Sequence, residues 1–333
     1  MVPLSVLDLS PVATGALPSD ALRDSVAVAQ ACDALGYARF WLAEHHNMAN
    51  VAASAPEVLI AHIAAVTSRI RVGAGGIMLP NHNPLRVVEI FRTLEALHPG
   101  RIDLGLGRAP GTDPVTAAAL QRDPVKDPNQ RLLELFAFDQ GTFPESHPFH
   151  QIRPMPTDVR LPATWMLGSS LGGAELAASF GLRYAFAGHF AMRNAHAALG
   201  FYRKHFSPSS SLARSYAMLA VTVICGEDDA HAEQLAAPVR LSVVRIRTGR
   251  RAPIPTLEEA LAYAYSPDEQ AIVDEFLRGA IIGGPERVRA GLERLADESG
   301  ADEIILSSLI PYRRERIAHY ERVARVAGLS GAA

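Results

Sequence analysis

The chain has 333 residues, 48% of them hydrophobic and 20% charged, with a formal net charge of −3. The 32 basic and 35 acidic residues nearly balance and form no basic stripe, which argues against nucleic acid and membrane surfaces as partners. Two cysteines at no metal spacing, no run near the roughly 18 apolar residues of a membrane span and no charged leader segment point to a cytoplasmic protein with reduced core thiols at Cys32 and Cys225.

Apolar runs of strand length alternate with stretches of helical period, the pattern of βαβ units. Residues 4–9 read as the first strand. A helix opens at Ser19-Asp20 and runs to Leu35, with Gly36 as its stop. Residues 38–43 are strand two, followed by a helix over 54–68 with Pro56 in its first turn. Strand three covers 70–75, Asn83-Pro84 starts the next helix, and strand four covers 101–106. Residues 107–127, rich in Pro, Asp and Gly, read as a long loop, and 128–140 as a helix. The five prolines of 142–162 suggest an irregular excursion or a hairpin. Strand five (163–167), a helix from Leu171, strand six (183–187), a helix around 192–206 and strand seven (216–225) restore the alternation. Asp228 starts the next helix, 248–280 reads as a second insertion, and Gly284-Pro285 starts a helix to Ser299. Strand eight (303–307) and a helix over 317–326 close the chain. The expected fold is a single (β/α)8 TIM barrel over 1–333, with insertions after strands four and seven.

In such a barrel the loops after the strands converge on one face, so the strand ends are where chemistry is sought. Strand two ends in Glu44-His45-His46, a carboxylate and two imidazoles directly after an apolar run. Histidine titrates close to working pH, so the trio suits proton transfer; a tie for the loop is the competing reading. Strand three ends in Gly75-Gly76, where the backbone either approaches a ligand or turns tightly. After strand four, Arg108 either forks onto a phosphate or pairs with a nearby Asp. After strand five, Gly168-Ser169-Ser170 leads straight into a helix, whose free N–H groups and serine hydroxyls either hold an anion or serve as a plain cap. Leu79, His82 and His189 are candidates for a substrate pocket, while Met78 and Met166 read as core. Neither metal spacing nor a Walker, dinucleotide or Gly-x-Ser-x-Gly motif occurs, so the reactive chemistry is assigned to a cofactor and no metal is expected.

At Trp41-Leu42-Ala43-Glu44-His45-His46, Gly73-Ala74-Gly75-Gly76-Ile77-Met78-Leu79-Pro80, Arg101-Ile102-Asp103-Leu104-Gly105-Leu106-Gly107-Arg108 and Gly168-Ser169-Ser170, the chain resembles the bacterial luciferase-like flavin monooxygenases of single-chain type. The resemblance covers almost the whole length. It implies FMN on the C-terminal face, its phosphate held by Arg108, Ser169 and Ser170 beside Gly168, and a non-proline cis peptide at Gly75-Gly76 beneath the ring. It further implies a two-component monooxygenase. Reduced FMN would come from a separate NAD(P)H:flavin reductase and capture O2 as a flavin C4a-(hydro)peroxide, which oxidises a small organic substrate. His45 matches the family's catalytic histidine, and Glu44 is expected to orient it. Gly107 stands where light-emitting members carry a reactive Cys, so neither thiol sensitivity nor light emission carries over. The 248–280 segment is a candidate lid. Sibling branches of the same fold use the deazaflavin F420 for hydride transfer, and a non-catalytic flavin carrier is a third reading. The family suggests a homodimer built on the helices after strands two and three.

Overall fold

The computed structural model describes residues 1–121 and 128–331. In chain order its first half holds β1 (Leu4–Asp8), α1 (Pro18–Leu35), β2 (Arg39–Leu42), α2 (Pro56–Val66), β3 (Arg71–Met78), α3 (Pro84–Leu97), β4 (Ile102–Gly107), α4 (Pro114–Leu120), α5 (Pro128–Gln140) and β5 (Ala163–Gly168). There follow α6 (Leu171–Ser179), β6 (Arg183–Phe186), α7 (Gly188–Ala191), α8 (Ala195–His205), β7 (Ala217–Cys225) and α9 (Asp229–Arg247). The chain ends with α10 (Leu257–Ala262), α11 (Pro267–Phe276), β8 (Ile281–Gly283), α12 (Pro285–Ser299), β9 (Glu303–Ser307) and α13 (Arg313–Ala327).

Strands β1 to β6 pair in sequence, all in parallel. β6 then pairs with β7, β7 with β9 and β9 with β1, so eight strands close a ring. β7 is buried at every position, as a parallel strand covered on both faces must be. Side chains such as Val6, Phe40, Val72, Leu104 and Ile304 point outward into the layer shared with the helices. Leu7, Trp41, Trp165, Met218 and Ile305 fill the interior, where Trp41 meets Trp165 edge-on at 5.1 Å.

The floor of the barrel is ionic. At the strand starts, Arg39 bridges Asp103 (2.7 Å) and Glu303 (3.0 Å), and Arg71 reaches Asp103 (2.7 Å). Trp41 Nε1–H also donates to Asp103, while the Tyr216 and Ser5 hydroxyls donate to Glu303. Burial alone would raise the Asp103 carboxyl, but the two guanidiniums hold it below the usual carboxylate range. The opposite end is thereby left as the open face.

Several expectations are corrected. Residues 107–127 are not loop throughout, because Asp113 accepts from the N–H groups of Val115 and Thr116 and, with Pro114, starts α4; residues 122–127 lie outside the described residues. The 142–162 excursion is a succession of turns with no strand, so no hairpin forms. A ninth strand, β8, precedes the helix expected at Gly284-Pro285; it pairs only with β7 and stays outside the ring. The helix expected around 192–206 is α8, Ala195–His205, entered through a 3₁₀ turn at Met192–Asn194; the short α7 before it was not expected. The helix expected over 54–68 is shorter at both ends, Pro56–Val66, with Pro56 in its first turn as expected. Gly36 does end α1 in the left-handed conformation.

Replacing Asp103 by Asn leaves Arg39 and Arg71 beside a neutral group inside the floor. Urea unfolding of Asp103→Asn is expected to show a loss of about 3–5 kcal/mol, and a loss below 1 kcal/mol contradicts the role given to the floor.

Candidate functional site

After β2 the chain folds back on itself. Ala43 N–H donates to Asp8 O (3.1 Å) and His45 N–H to Ala53 O (2.8 Å), which fixes the Glu44-His45-His46 segment at the mouth. Glu44 is fully buried there. Its Oε1 accepts from His46 Nε2 (2.9 Å) and Asn81 Nδ2 (3.1 Å); its Oε2 accepts from Met78 N–H (2.8 Å) and His82 Nε2 (2.9 Å). Burial on its own would raise this carboxyl, but the His82, His46 and Met78 donors outweigh it and hold the group below its usual range. For His82 burial acts downward, and the Glu44 hydrogen bond and charge prevail and raise it. Glu44, expected to orient His45, therefore spends its hydrogen bonds on His46 and the loop after β3. His82, expected in the pocket, belongs to this tie. Asn81, which beside His82 reads from the sequence as a pocket residue, also donates to Pro110 O (2.9 Å) and so brings in the loop after β4.

His45 itself is left available. Its Nδ1 is buried without a hydrogen-bond partner, and so is Nδ1 of His189 on α7. Burial lowers His45 to about 4, with Glu44 acting upward and His46 downward. Burial likewise lowers His189 to about 4, with the neighbouring His45 adding to the shift. Two neutral imidazoles thus sit close together at the mouth.

The Gly75-Gly76 peptide is cis. A Cβ on Gly76 would lie 2.6 Å from Gly105 O, and one on Gly75 would lie 2.8 Å from Leu7 Cδ1, so side chains are excluded from this surface by packing. Nearby Leu79 is buried in a short 3₁₀ turn, Leu79–Asn81, and packs into the outer core.

Across the mouth, Arg108 lies over the start of α6: a Cβ on Gly172 would be 3.3 Å from its guanidinium. No acidic partner of Arg108 occurs among the described residues, and Ser170 occupies the cap position of α6 without a side-chain hydrogen bond to the helix. The Tyr184 hydroxyl donates to Ser170 O (3.3 Å), and a Cβ on Gly168 would be 3.1 Å from that hydroxyl, so Ser169 is held on a narrow turn. A guanidinium with no partner among the described residues, the first N–H groups of a helix and two serine hydroxyls are the kinds of donor that suit an anion.

A clasp that the sequence did not disclose closes one side. Asn47, with a left-handed backbone (φ 55), donates to Asp113 (3.1 Å) and Thr116 (2.8 Å); Arg251, from the segment after α9, pairs with Asp113 at 2.9 Å. The Asp-Pro pair at 113–114 is a helix-start signal that points to Asp113; nothing in the sequence marks Arg251. Among the described residues no cluster of His, Cys, Asp and Glu has metal-binding geometry and no helix is long and apolar enough to cross a membrane.

Comparison with known proteins places these features in a family. The family description "Luciferase-like monooxygenase" matches residues 2–303. The chain is 43% identical to the Bacillus subtilis (strain 168) protein YvbT over 97% of this chain and 96% of that one. It is 39% identical to the Luciferase-like monooxygenase of Escherichia coli (strain K12), over 96% of this chain and 95% of the relative. The crystal structure of apo-MsnO8 is similar throughout, at 38% identity, 100% coverage of both chains and a TM-score of 0.90.

The lowered imidazoles make stability depend on pH. The folded chain holds His45 and His189 near 4 against an ordinary 6.5, so the unfolded chain takes up those protons first. Stability from these rings is complete above pH 6.5 and declines as pH falls from 6.5 towards 4. The thermal midpoint of the wild type is expected to drop across that window more steeply than that of the His45→Asn/His189→Asn variant; parallel declines contradict the assignment.

Proposed function

The chain belongs to the luciferase-like monooxygenase family and is an oxidoreductase of monooxygenase type, and on that premise we propose that it takes reduced FMN at the barrel mouth and oxidises a small organic substrate with O2. The observation that carries the cofactor is Arg108, which has no acidic partner among the described residues and lies over the start of α6 beside a cap serine that does not cap. A phosphate is the ligand that such a set of donors suits best. When bound, reduced FMN supplies the electrons that activate O2.

The chain's own residues do the rest. Arg108, Ser169, Ser170 and the N–H groups of α6 bind the phosphate, with Gly168 shaping the turn. Gly75 and Gly76 offer the ring a surface without side chains. His45 is neutral at working pH and holds or passes a proton through its unpartnered Nδ1; His189 flanks it. Glu44, tied to its own loop, to the end of β3 and to the turn that follows it, holds the backbone that carries His45 rather than its ring. Leu79 packs behind this wall and His82 locks it to Glu44, so both support the pocket from outside. The family likeness, and not a feature of the mouth, is the ground for assigning the supply of reduced flavin to a separate NAD(P)H:flavin reductase. The exposed Val58 on α2 and Leu97 on α3 (65% and 66%) are the apolar positions a second copy would cover in a homodimer.

Two outcomes are expected. Arg108→Ala weakens FMN by about 10–100-fold, the value of a charge-assisted contact, and leaves riboflavin nearly unchanged when both are titrated by flavin fluorescence. Equal losses place the phosphate elsewhere, and tight binding of F420 with none of FMN favours hydride transfer instead. His45→Ala lowers substrate oxidation by about 10²–10⁴-fold in the presence of a flavin reductase; unchanged turnover removes His45 from proton transfer.

A further inference from the structure

His45 also lines a cleft that includes none of the residues proposed to hold the flavin phosphate or ring. This cleft is lined by Asn47, Met48, Ala49, Val51, Ala52 and Ser54, together with Arg251. Arg251 is held in place: three residues on, Ile254 N–H donates to Val12 O (2.8 Å) and Thr14 N–H donates to Ile254 O (2.8 Å). The adjacent Arg250 faces Tyr263 and Glu269, so of the two arginines only Arg251 reaches the cleft.

Asp113, its partner, does not depend on it. One carboxylate oxygen accepts from the N–H groups of Val115 and Thr116, and the other from the Thr116 hydroxyl (2.7 Å) and Asn47 (3.1 Å). The Arg251–Asp113 contact is open to water, with side-chain exposures of 55% and 26%, and an ion pair of that kind contributes little. Its guanidinium keeps further N–H groups for a second carboxylate, and the planar fork matches one. A cleft of mixed lining, with Met48, Ala49, Val51 and Ala52 beside the polar Asn47 and Ser54, and with a positive, weakly committed fork, suits a short aliphatic body with one acidic end.

We propose that this cleft is a subsite for a small aliphatic carboxylate, with Arg251 binding the acid and Met48, Ala49, Val51 and Ala52 covering the chain that extends towards His45. The subsite deepens the flavin reading of the mouth and rests on it for the reaction, though not for the binding.

Hexanoate and hexanamide, alike in size and different in charge, test it by titration calorimetry on the protein with and without FMN. The wild type is expected to bind hexanoate about tenfold more tightly than hexanamide in both forms. Arg251→Gln abolishes that preference by weakening hexanoate alone. Asp113→Asn, which keeps a good helix cap, removes the competing charge and tightens hexanoate several-fold, a gain that misfolding does not produce. Equal affinity for the two probes, a preference that survives Arg251→Gln, or weaker hexanoate binding in Asp113→Asn each overturn the proposal. A wild type that takes up no FMN counts against the flavin reading, and the flavin-free titrations then decide the subsite on their own.

Discussion

The mouth of this barrel is organised around one buried carboxylate. Glu44 accepts hydrogen bonds from His46 on its own loop, from Met78 at the end of β3 and from Asn81 and His82 just after it. Asn81 carries the tie on to Pro110 after β4. A buried charge is tolerable only when its lone pairs are satisfied, and here the donors come from elements that otherwise end separately. The same bonds that stabilise the charge therefore set the spacing of three strand ends, and with it the position of His45.

Charge is divided between the two ends of the barrel. Arg39, Arg71, Asp103 and Glu303 close the floor with fully paired ions. At the mouth, by contrast, polar groups are without partners among the described residues: Nδ1 of His45 and of His189, the Arg108 guanidinium and the hydroxyls at the start of α6. A paired end gives rigidity and an unpaired end gives ligand affinity, and the unpaired set separates into a cationic part at α6 and a neutral part at the two imidazoles. That division suits a phosphate anchor on one side and proton handling on the other.

Much of this was legible in the chain, and the reasons differ by element. The barrel strands show because a parallel strand buried on both faces must be a continuous apolar run, as in residues 217–225. Gly36 marks a helix end because the left-handed cap requires it. β8 was hidden because three residues carry no periodicity, and α4 because its alanine-rich body sits between segments of turn composition. The strand-end groups were visible as residue types, and their partners were not. His82 lies 38 positions from Glu44, and the Arg251–Asp113 clasp joins two segments with no shared local pattern. Partner choice of this kind is set by the closed ring, not by neighbouring sequence.

The crystal structure of the protein soaked with FMN tests the central claim most directly. The flavin phosphate is expected within hydrogen-bond distance of Arg108 and the Ser169 and Ser170 hydroxyls, with the ring against Gly75-Gly76 and its reacting edge towards His45. A flavin bound outside the mouth, or one whose phosphate lies away from the start of α6, contradicts it.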